Sequence, residues 1–194
     1  MRRFLTVRLG YALVLILALP FSGLASDKKK DPDAIGDRDV AKGVNFVSTH
    51  TNLAIGALHG KMEMYSGDMS MDDASGNIQL TTRDKNVTME NITGRLRIED
   101  KRGEVTVRLR QAPKEDISIS TESGAVELAL PSSSAFEMDA ASRSGQIEND
   151  FDDADLKVTD DTHGNAALHG RRATKGPRVE LHTTYGPIRL RKSD

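Results

Sequence analysis

Five histidines, His50, His59, His163, His169 and His182, are the residues best suited to move a proton or hold a metal in this chain. None sits in an HExxH arrangement, in which two His on one helical face hold zinc and the Glu activates water. His163 and His182 are 19 residues apart, close to one structural repeat, but they stand at different offsets from the glycine that follows each. Exposed or turn positions are the expectation for both. Serine is plentiful, yet no Gly-x-Ser-x-Gly turn presents one as a nucleophile. The absence of Cys removes disulfides, thiolate metal sites and thiol nucleophiles.

The acidic residues offer one further possibility. Asp150, Asp152, Asp153 and Asp155 crowd into a seven-residue stretch that begins at Asn149, and oxygen ligands close in sequence are what Ca²⁺ takes. The spacing follows neither an EF-hand loop nor a Gly-Gly-x-Gly-x-Asp repeat, and a charge run between strands is ordinarily a solvated turn. The reading is therefore no resident metal and no cofactor. Met62, Met64, Met69, Met71, Met89 and Met138 fall on the apolar positions of the pattern described below, where a thioether fills a core.

These residues must be positioned by strands. Apolar side chains alternate with polar ones in short runs, as in Ile78 and Leu80, Leu96 and Ile98, Val126, Leu128 and Leu130, and Ile188 and Leu190. Period-two alternation places each run on one strand face. No stretch past residue 50 sustains a helical period, so the fold class is all-β.

The glycines add a longer period. Gly-x-apolar-x-apolar opens at Gly60, Gly67, Gly76, Gly94, Gly103, Gly124 and Gly186, with degenerate copies at Gly145 and Gly164. From Gly103 onward the successive spacings are 21, 21, 19 and 22 residues. A fixed period signals stacked repeats. Gly76, Gly94, Gly103, Gly124, Gly145 and Gly186 are read as structural turn residues, able to take positive φ where each coil bends. The expectation is a single-domain β-solenoid of about seven coils, each of about 20 residues, stacked in parallel. An antiparallel β-sandwich of the same strands is the alternative. Ile188 to Lys192 would then be a terminal strand, its free edge guarded by Arg189 and Arg191.

Around this repeat domain, residues 46–194, the chain carries two other segments. Residues 1–25 have the form of a secretory signal peptide: Arg2, Arg3 and Arg8, an apolar run from Leu9 to Leu19, Pro20, and small residues before a cut after Ala25. The run is too short to span a bilayer, and no second apolar segment follows. Residues 26–45 are charged and read as a flexible tether. Removing the signal takes away three basic residues and no acidic one, leaving 24 basic and 29 acidic side chains and a net charge of −5. That balance argues against nucleic acid.

The repeat also carries a resemblance. TESGAVELALPSSSAFEMDAASRSGQIE (121–148) and LHTTYGPIRLRKS (181–193) resemble the bacterial "putative adhesin" family of β-strand-repeat domains of unknown function. Ser123-Gly124, Leu130-Pro131 and Ser144-Gly145 occupy its hallmark positions, and the likeness extends over about residues 53–194. Residues 31–48 are similar to the leader of exported zinc metallopeptidases, but without an HExxH motif no protease activity is carried over.

The reading from sequence is thus an exported, non-enzymatic, adhesin-like binding module of the cell envelope or surface. The alternative is a periplasmic structural or regulatory protein of envelope homeostasis, and a small polysaccharide-active enzyme comes last. The expected partner is a protein or glycan of the envelope or surface, met in the periplasm or outside the cell. Gln79, Thr88, Arg97 and Thr106 are the polar side chains expected to face it. The chain itself is expected to be a monomer or to associate weakly end to end.

Overall fold

The computed structural model describes residues 41–47, 51–58, 62–64 and 68–193. The expected signal peptide, most of the tether, His50, His59, Gly60 and Gly67 lie outside the described residues, as do residues 31–40 and 48 of the peptidase-like leader. Every described element is a strand: β1 (Ala41–Val47), β2 (Thr51–Leu58), β3 (Met62–Met64), β4 (Asp68–Asp72), β5 (Ala74–Ser75) and β6 (Ile78–Thr82). These are followed by β7 (Asn86–Glu90), β8 (Leu96–Arg102), β9 (Val105–Arg108), β10 (Ile117–Ser123), β11 (Val126–Pro131) and β12 (Phe136–Ser144). The chain ends with β13 (Ile147–Asn149), β14 (Lys157–Asp160), β15 (Ala166–Arg172), β16 (Arg178–Tyr185) and β17 (Ile188–Ser193). β1 begins inside the last residues of the segment read as tether.

Two sheets face each other. The first has the order β1-β2-β6-β8-β10-β16-β12-β15-β14, with β5 also pairing on β2. The second has the order β13-β17-β11-β9-β7-β4-β3. Each coil contributes one strand to each sheet. Within the stack β6, β8, β10, β16 and β12 are all parallel and in register, as are β4, β7, β9, β11, β17 and β13. Among the described residues five two-strand coils are stacked this way. The ends are antiparallel: β1, β2 and β6 at one, β12, β15 and β14 at the other.

The order of the coils differs from their order in the chain. The last coil, β16–β17, lies between β10–β11 and β12–β13. Ile188 to Lys192 is therefore not a terminal strand with a free edge, because β17 pairs with β11 on one side and β13 on the other. β12 has to leave a strand-wide gap beside β10, which the chain fills only after its β14–β15 excursion.

The core follows from the register. Ile78, Leu96, Ile117, Val179 and Met138 form one inward row, and Leu80, Ile98, Ile119, Leu181 and Ala140 the next. Met69, Val87, Val105, Val126, Ile188 and Ile147 line up opposite them from the second sheet. All are buried, and each large aliphatic side chain contributes about 1.5–3 kcal/mol relative to exposure. Phe136 and Phe151 close the core near the β12–β13 coil, edge to face at 5.3 Å.

At the corner where the first sheet passes into the second, glycines stack on one another. An ideal Cβ on Gly124 would lie 1.9 Å from the Gly103 carbonyl oxygen, on Gly186 2.1 Å from that of Gly124, and on Gly145 2.0 Å from that of Gly186. The backbones touch, and Gly124 N–H donates across coils to the Tyr185 carbonyl at 3.0 Å. Close approach is thus the requirement at Gly103 and Gly145; at the opposite corner Gly76 and Gly94 have φ of 91° and 107°, and a Cβ on Gly94 would also lie 2.3 Å from the Gly76 carbonyl oxygen.

Three residues before this glycine stack runs a buried polar row: Thr82, Asp100, Thr121, Thr183 and Ser142, in register. Ser142 Oγ donates to the Gly186 carbonyl at 2.8 Å and Thr183 Oγ1 to that of Gly124 at 3.3 Å. Asp100 occupies a rung where the neighbours place hydroxyl donors. Its Oδ1 accepts from Lys101 N–H, while its Oδ2 is buried without a partner. Burial raises its pKa, opposed by the backbone N–H groups of Lys101 and Arg102 and reinforced by Asp84.

Four outcomes follow from this architecture. Gly124→Ala should cost more than about 2 kcal/mol in chemical denaturation, because two coil backbones must separate. Gly164→Ala, where φ is +84° but the surrounding space is open, should cost only about 1 kcal/mol. Truncation after Pro177 leaves β10, β11, β12 and β13 each with an unpaired edge and should abolish cooperative melting by circular dichroism. Finally, a carboxylate with a raised folded pKa weakens the fold as pH climbs from the unfolded value of about 3.8 through the folded one, and the penalty stays constant above it. Asp100→Thr should therefore raise Tm at pH 7, by an amount that shrinks toward pH 4 in calorimetry.

Candidate functional site

Strand alternation sends every second side chain out of the core, so in-register coils give straight outward rows about 4.8 Å per step. On the first sheet Gln79, Arg97, Ser118, Glu180, Asp139 and His169 form one row, and Thr81, Glu99, Ser120, His182, Ala141 and Ala167 the next. Thr88 and Thr106 are neighbours on the second sheet. The four polar residues singled out from sequence therefore divide between two faces that point away from each other.

The outward face of the first sheet bears two adjoining depressions over β16, β12 and β15. The larger, about 490 Å³, is lined by Glu137, Asp139, Asp155, His169, Arg171 and Arg178 among others. Antiparallel pairing of β12 with β15 sets Asp139 opposite His169 and Glu137 opposite Arg171. His169 Nδ1 lies 3.1 Å from Asp139 Oδ1, Arg178 Nη2 3.2 Å from Asp139 Oδ2, and Arg171 Nη2 3.1 Å from Glu137 Oε2. Arg178 Nε also meets Glu180 at 2.9 Å. Asp139 orients His169 and Arg178 together, but no Ser or Thr lines this groove among the described residues.

The second depression, about 310 Å³, is floored by small side chains. His182 stands between Ser120 on β10 and Ala141 on β12, with Ala167 on β15 beyond. Arg143 and Asn165 border it. At the end of β16 Tyr185 is 58% exposed, the one large hydrophobic so exposed among the described residues. It is in register with Ser123 and Ser144, whose short side chains leave its ring uncovered.

The acidic loop is built around a buried aromatic ring. Phe151 is buried, and Asn149 holds the loop, its Nδ2 donating to the Phe151 and Leu156 carbonyls and its Oδ1 accepting from Phe151 N–H. The carboxylates consequently splay apart. Asp150 accepts from Arg191 at 3.1 Å, Asp152 from Lys192 at 3.1 Å and Asp153 from Arg172 at 2.6 Å, while Asp155 reaches the larger groove. Among the described residues no group of three or more His, Asp or Glu converges on a point. His163 is exposed in the β14–β15 turn, where Asp161 accepts from the backbone N–H groups of His163 and Asn165 and from the Asn165 side chain. The Asn165 side chain is the largest cause holding the Asp161 carboxyl below its ordinary pKa. Arg189 and Arg191 are paired on Glu148, not guarding an edge.

Sequence reasoning missed the His169–Asp139 pair and the His182 trough. β15 is a degenerate copy of the repeat, and β16 is adjacent to β12 only because the last coil is inserted out of order.

A solved structure described as "a putative cell adhesion protein", from Clostridium sporogenes ATCC 15579, is similar with a TM-score of 0.35 and 11% identity, over 74% of this chain and 82% of that one. No curated protein matches the chain in sequence. The family model for Toastrack DUF4097 matches residues 37–191. That span runs from just before β1 into β17 and takes in both sheets, so the chain belongs to the Toastrack DUF4097 family of β-repeat domains.

Proposed function

We propose that this protein is an exported, non-enzymatic binding module of the cell envelope or surface, adhesin-like in action, and that the outward face of its first sheet meets the partner. The observation that carries the reading is the geometry of that face. Rows of polar side chains repeat at one strand spacing, and two open depressions adjoin on the same strands. A surface with a built-in period suits an extended partner that offers the same group repeatedly, through many weak contacts whose sum is substantial. The Asp139–His169 pair is consistent with binding as well: both side chains lie in a network of ion pairs that sets their orientation, and no Ser or Thr lines their groove among the described residues. The signal-peptide pattern read in residues 1–25 supports a place beyond the cytoplasm.

The test is retention of the mature chain, residues 26–194, on sedimented bacterial envelopes. Ser120→Trp, which fills the smaller depression, should weaken retention at least tenfold. Thr106→Trp, on the opposite face, should leave it within about twofold, since surface substitutions away from a contact change binding little. Equal retention of both variants and the unaltered chain would remove the assignment of this face. Protease shaving of intact cells separates the surface from the periplasm: loss of the chain while a periplasmic control survives supports adhesion, and its survival supports a periplasmic partner.

A further inference from the structure

The buried polar row and the corner it supports follow one rule along the stack. Each polar residue stands three positions before its own corner residue, as Ser142 does before Gly145 and Thr183 before Gly186. Each of these two donates to the corner carbonyl of the adjoining coil, Ser142 Oγ to Gly186 at 2.8 Å and Thr183 Oγ1 to Gly124 at 3.3 Å. In the β8–β9 coil the corresponding side chain is Asp100. The corresponding carbonyl is that of Lys85, which stands three positions after Thr82 and is the corner residue of the β6–β7 coil. The oxygens are placed alike at both corners. A Cβ on Gly145 would lie 2.0 Å from the Gly186 carbonyl oxygen and 2.8 Å from Ser142 Oγ. A Cβ on Gly103 would lie 2.1 Å from the Lys85 carbonyl oxygen and 2.6 Å from Asp100 Oδ2.

A hydroxyl in that place donates, whereas an ionised carboxylate can only accept. Asp100 is 5% exposed, and Oδ2, the oxygen beside the Lys85 carbonyl, has no partner. Two acceptors brought together away from water repel, and a buried acceptor without a donor is costly. A proton on Oδ2 turns the same contact into an O–H···O bond of the kind Ser142 makes. Thr121, the next rung, is also buried with Oγ1 unpartnered, so the row is broken around Asp100 and intact at Thr183 and Ser142. The neighbours of Asp100 on β6 and β10 are the uncharged Thr82 and Thr121. Charge enters only from the corner segments: Arg83, Asp84 and Lys85 on one side, Lys101, Arg102 and Glu104 on the other, and Glu122 at the end of β10. None of these side chains hydrogen-bonds to Oδ2, and Arg102 is held by Asp84 at 2.8 Å. Burial raises the Asp100 pKa, against the N–H groups of Lys101 and Arg102 and with the help of Asp84.

We propose that Asp100 is a proton-operated latch between the β6–β7 and β8–β9 coils: as a neutral carboxylic acid it donates from Oδ2 to the Lys85 carbonyl, and on ionising it releases that corner. The proton passes from Oδ2 to solvent, and the carboxylate left behind faces a carbonyl oxygen with no hydrogen between them. The effect is local. The two coils still share their core rows and their strand pairing on both sheets, so the corner opens while the stack persists. The latch is independent of what the outward face of the first sheet binds.

The experiment follows side-chain carboxyl ¹³C shifts and amide hydrogen exchange in the mature chain, residues 26–194, from about pH 4 to about pH 8. The Asp100 carboxyl, assigned through its bonds to its own backbone, should titrate above the ordinary value of 3.8. The Arg102 amide donates to the Arg83 carbonyl across this corner at 2.8 Å. Its protection, corrected for intrinsic exchange, should fall at least tenfold over the same range. The Gly124 amide, which bonds to Tyr185 beside an intact rung, should keep its protection within about twofold. Asp100→Thr supplies a donor at every pH and should keep Arg102 protected throughout. Asp100→Val has nearly the same shape without the hydroxyl and should leave Arg102 weakly protected throughout. Titration of Asp100 at the ordinary value would overturn the latch, and that measurement needs only the unaltered chain. Equal Arg102 protection in the Thr and Val variants would show that removing the charge is enough, and would overturn donation to Lys85.

Discussion

The whole molecule depends on parallel strands staying in register at a corner where their backbones touch. With Gly103, Gly124, Gly186 and Gly145 stacked carbonyl against Cα, a coil cannot slide by one residue without driving a side chain into its neighbour. Register in turn decides everything placed on the strands. The same alternation that lines up Leu80, Ile98, Ile119, Leu181 and Ala140 inside lines up Ser120, His182, Ala141 and Ala167 outside. A slip of one position would exchange core and surface along the entire strand. The hydroxyl row beneath the glycines adds a second constraint, because Ser142 and Thr183 tie each corner to the carbonyl of the adjacent coil.

The inserted final coil is the second organising fact. Most of the stack grows by local addition, each coil beside the one before it, and such contacts form with little loop closure. The β16–β17 coil instead joins two sets of strands separated in sequence by the β14–β15 excursion. The sheets have continuous pairing only once the C-terminal residues are in place. This arrangement also sets the composition of the candidate binding surface, since His182 and Thr184 come from the inserted strand and Ala141 and Arg143 from the strand it displaces sideways. Completion of the fold and completion of the site are therefore one event.

The two depressions show how one scaffold can hold a charge-balanced patch and a cationic one on the same strands. Toward the start of β16 the cross-strand partners are charged and pair among themselves: Asp139 with His169 and Arg178, Glu137 with Arg171. Such exposed pairs contribute little to stability individually, but they satisfy one another and leave little net charge for a ligand. Toward the end of β16 the partners become small, and Arg143 has no counter-ion among the described residues. A single run of backbone geometry thus carries a self-satisfied patch and an unsatisfied one.

From the amino-acid sequence alone, the strands, their inward faces and the corner glycines were readable, because alternation and turn requirements are local properties of the chain. Ile78, Leu80, Leu96, Ile98 and their counterparts lie in the core for that reason, and the repeat motif carried the family. The reading of Ile188–Lys192 as a terminal edge went astray because strand order is not a local property: nothing in residues 178–193 states which coils they will separate. The same limit hid the pairing of His169 with Asp139 and the isolation of Arg143, both of which arise from neighbours distant in sequence. In the acidic loop, the sequence showed four carboxylates close together, but only burial of Phe151 and the positions of Arg172, Arg191 and Lys192 directed those carboxylates outward to separate cations. What tertiary structure decided, in each case, was which charges find partners, and that depends on distances that the chain sets only once its coils are stacked.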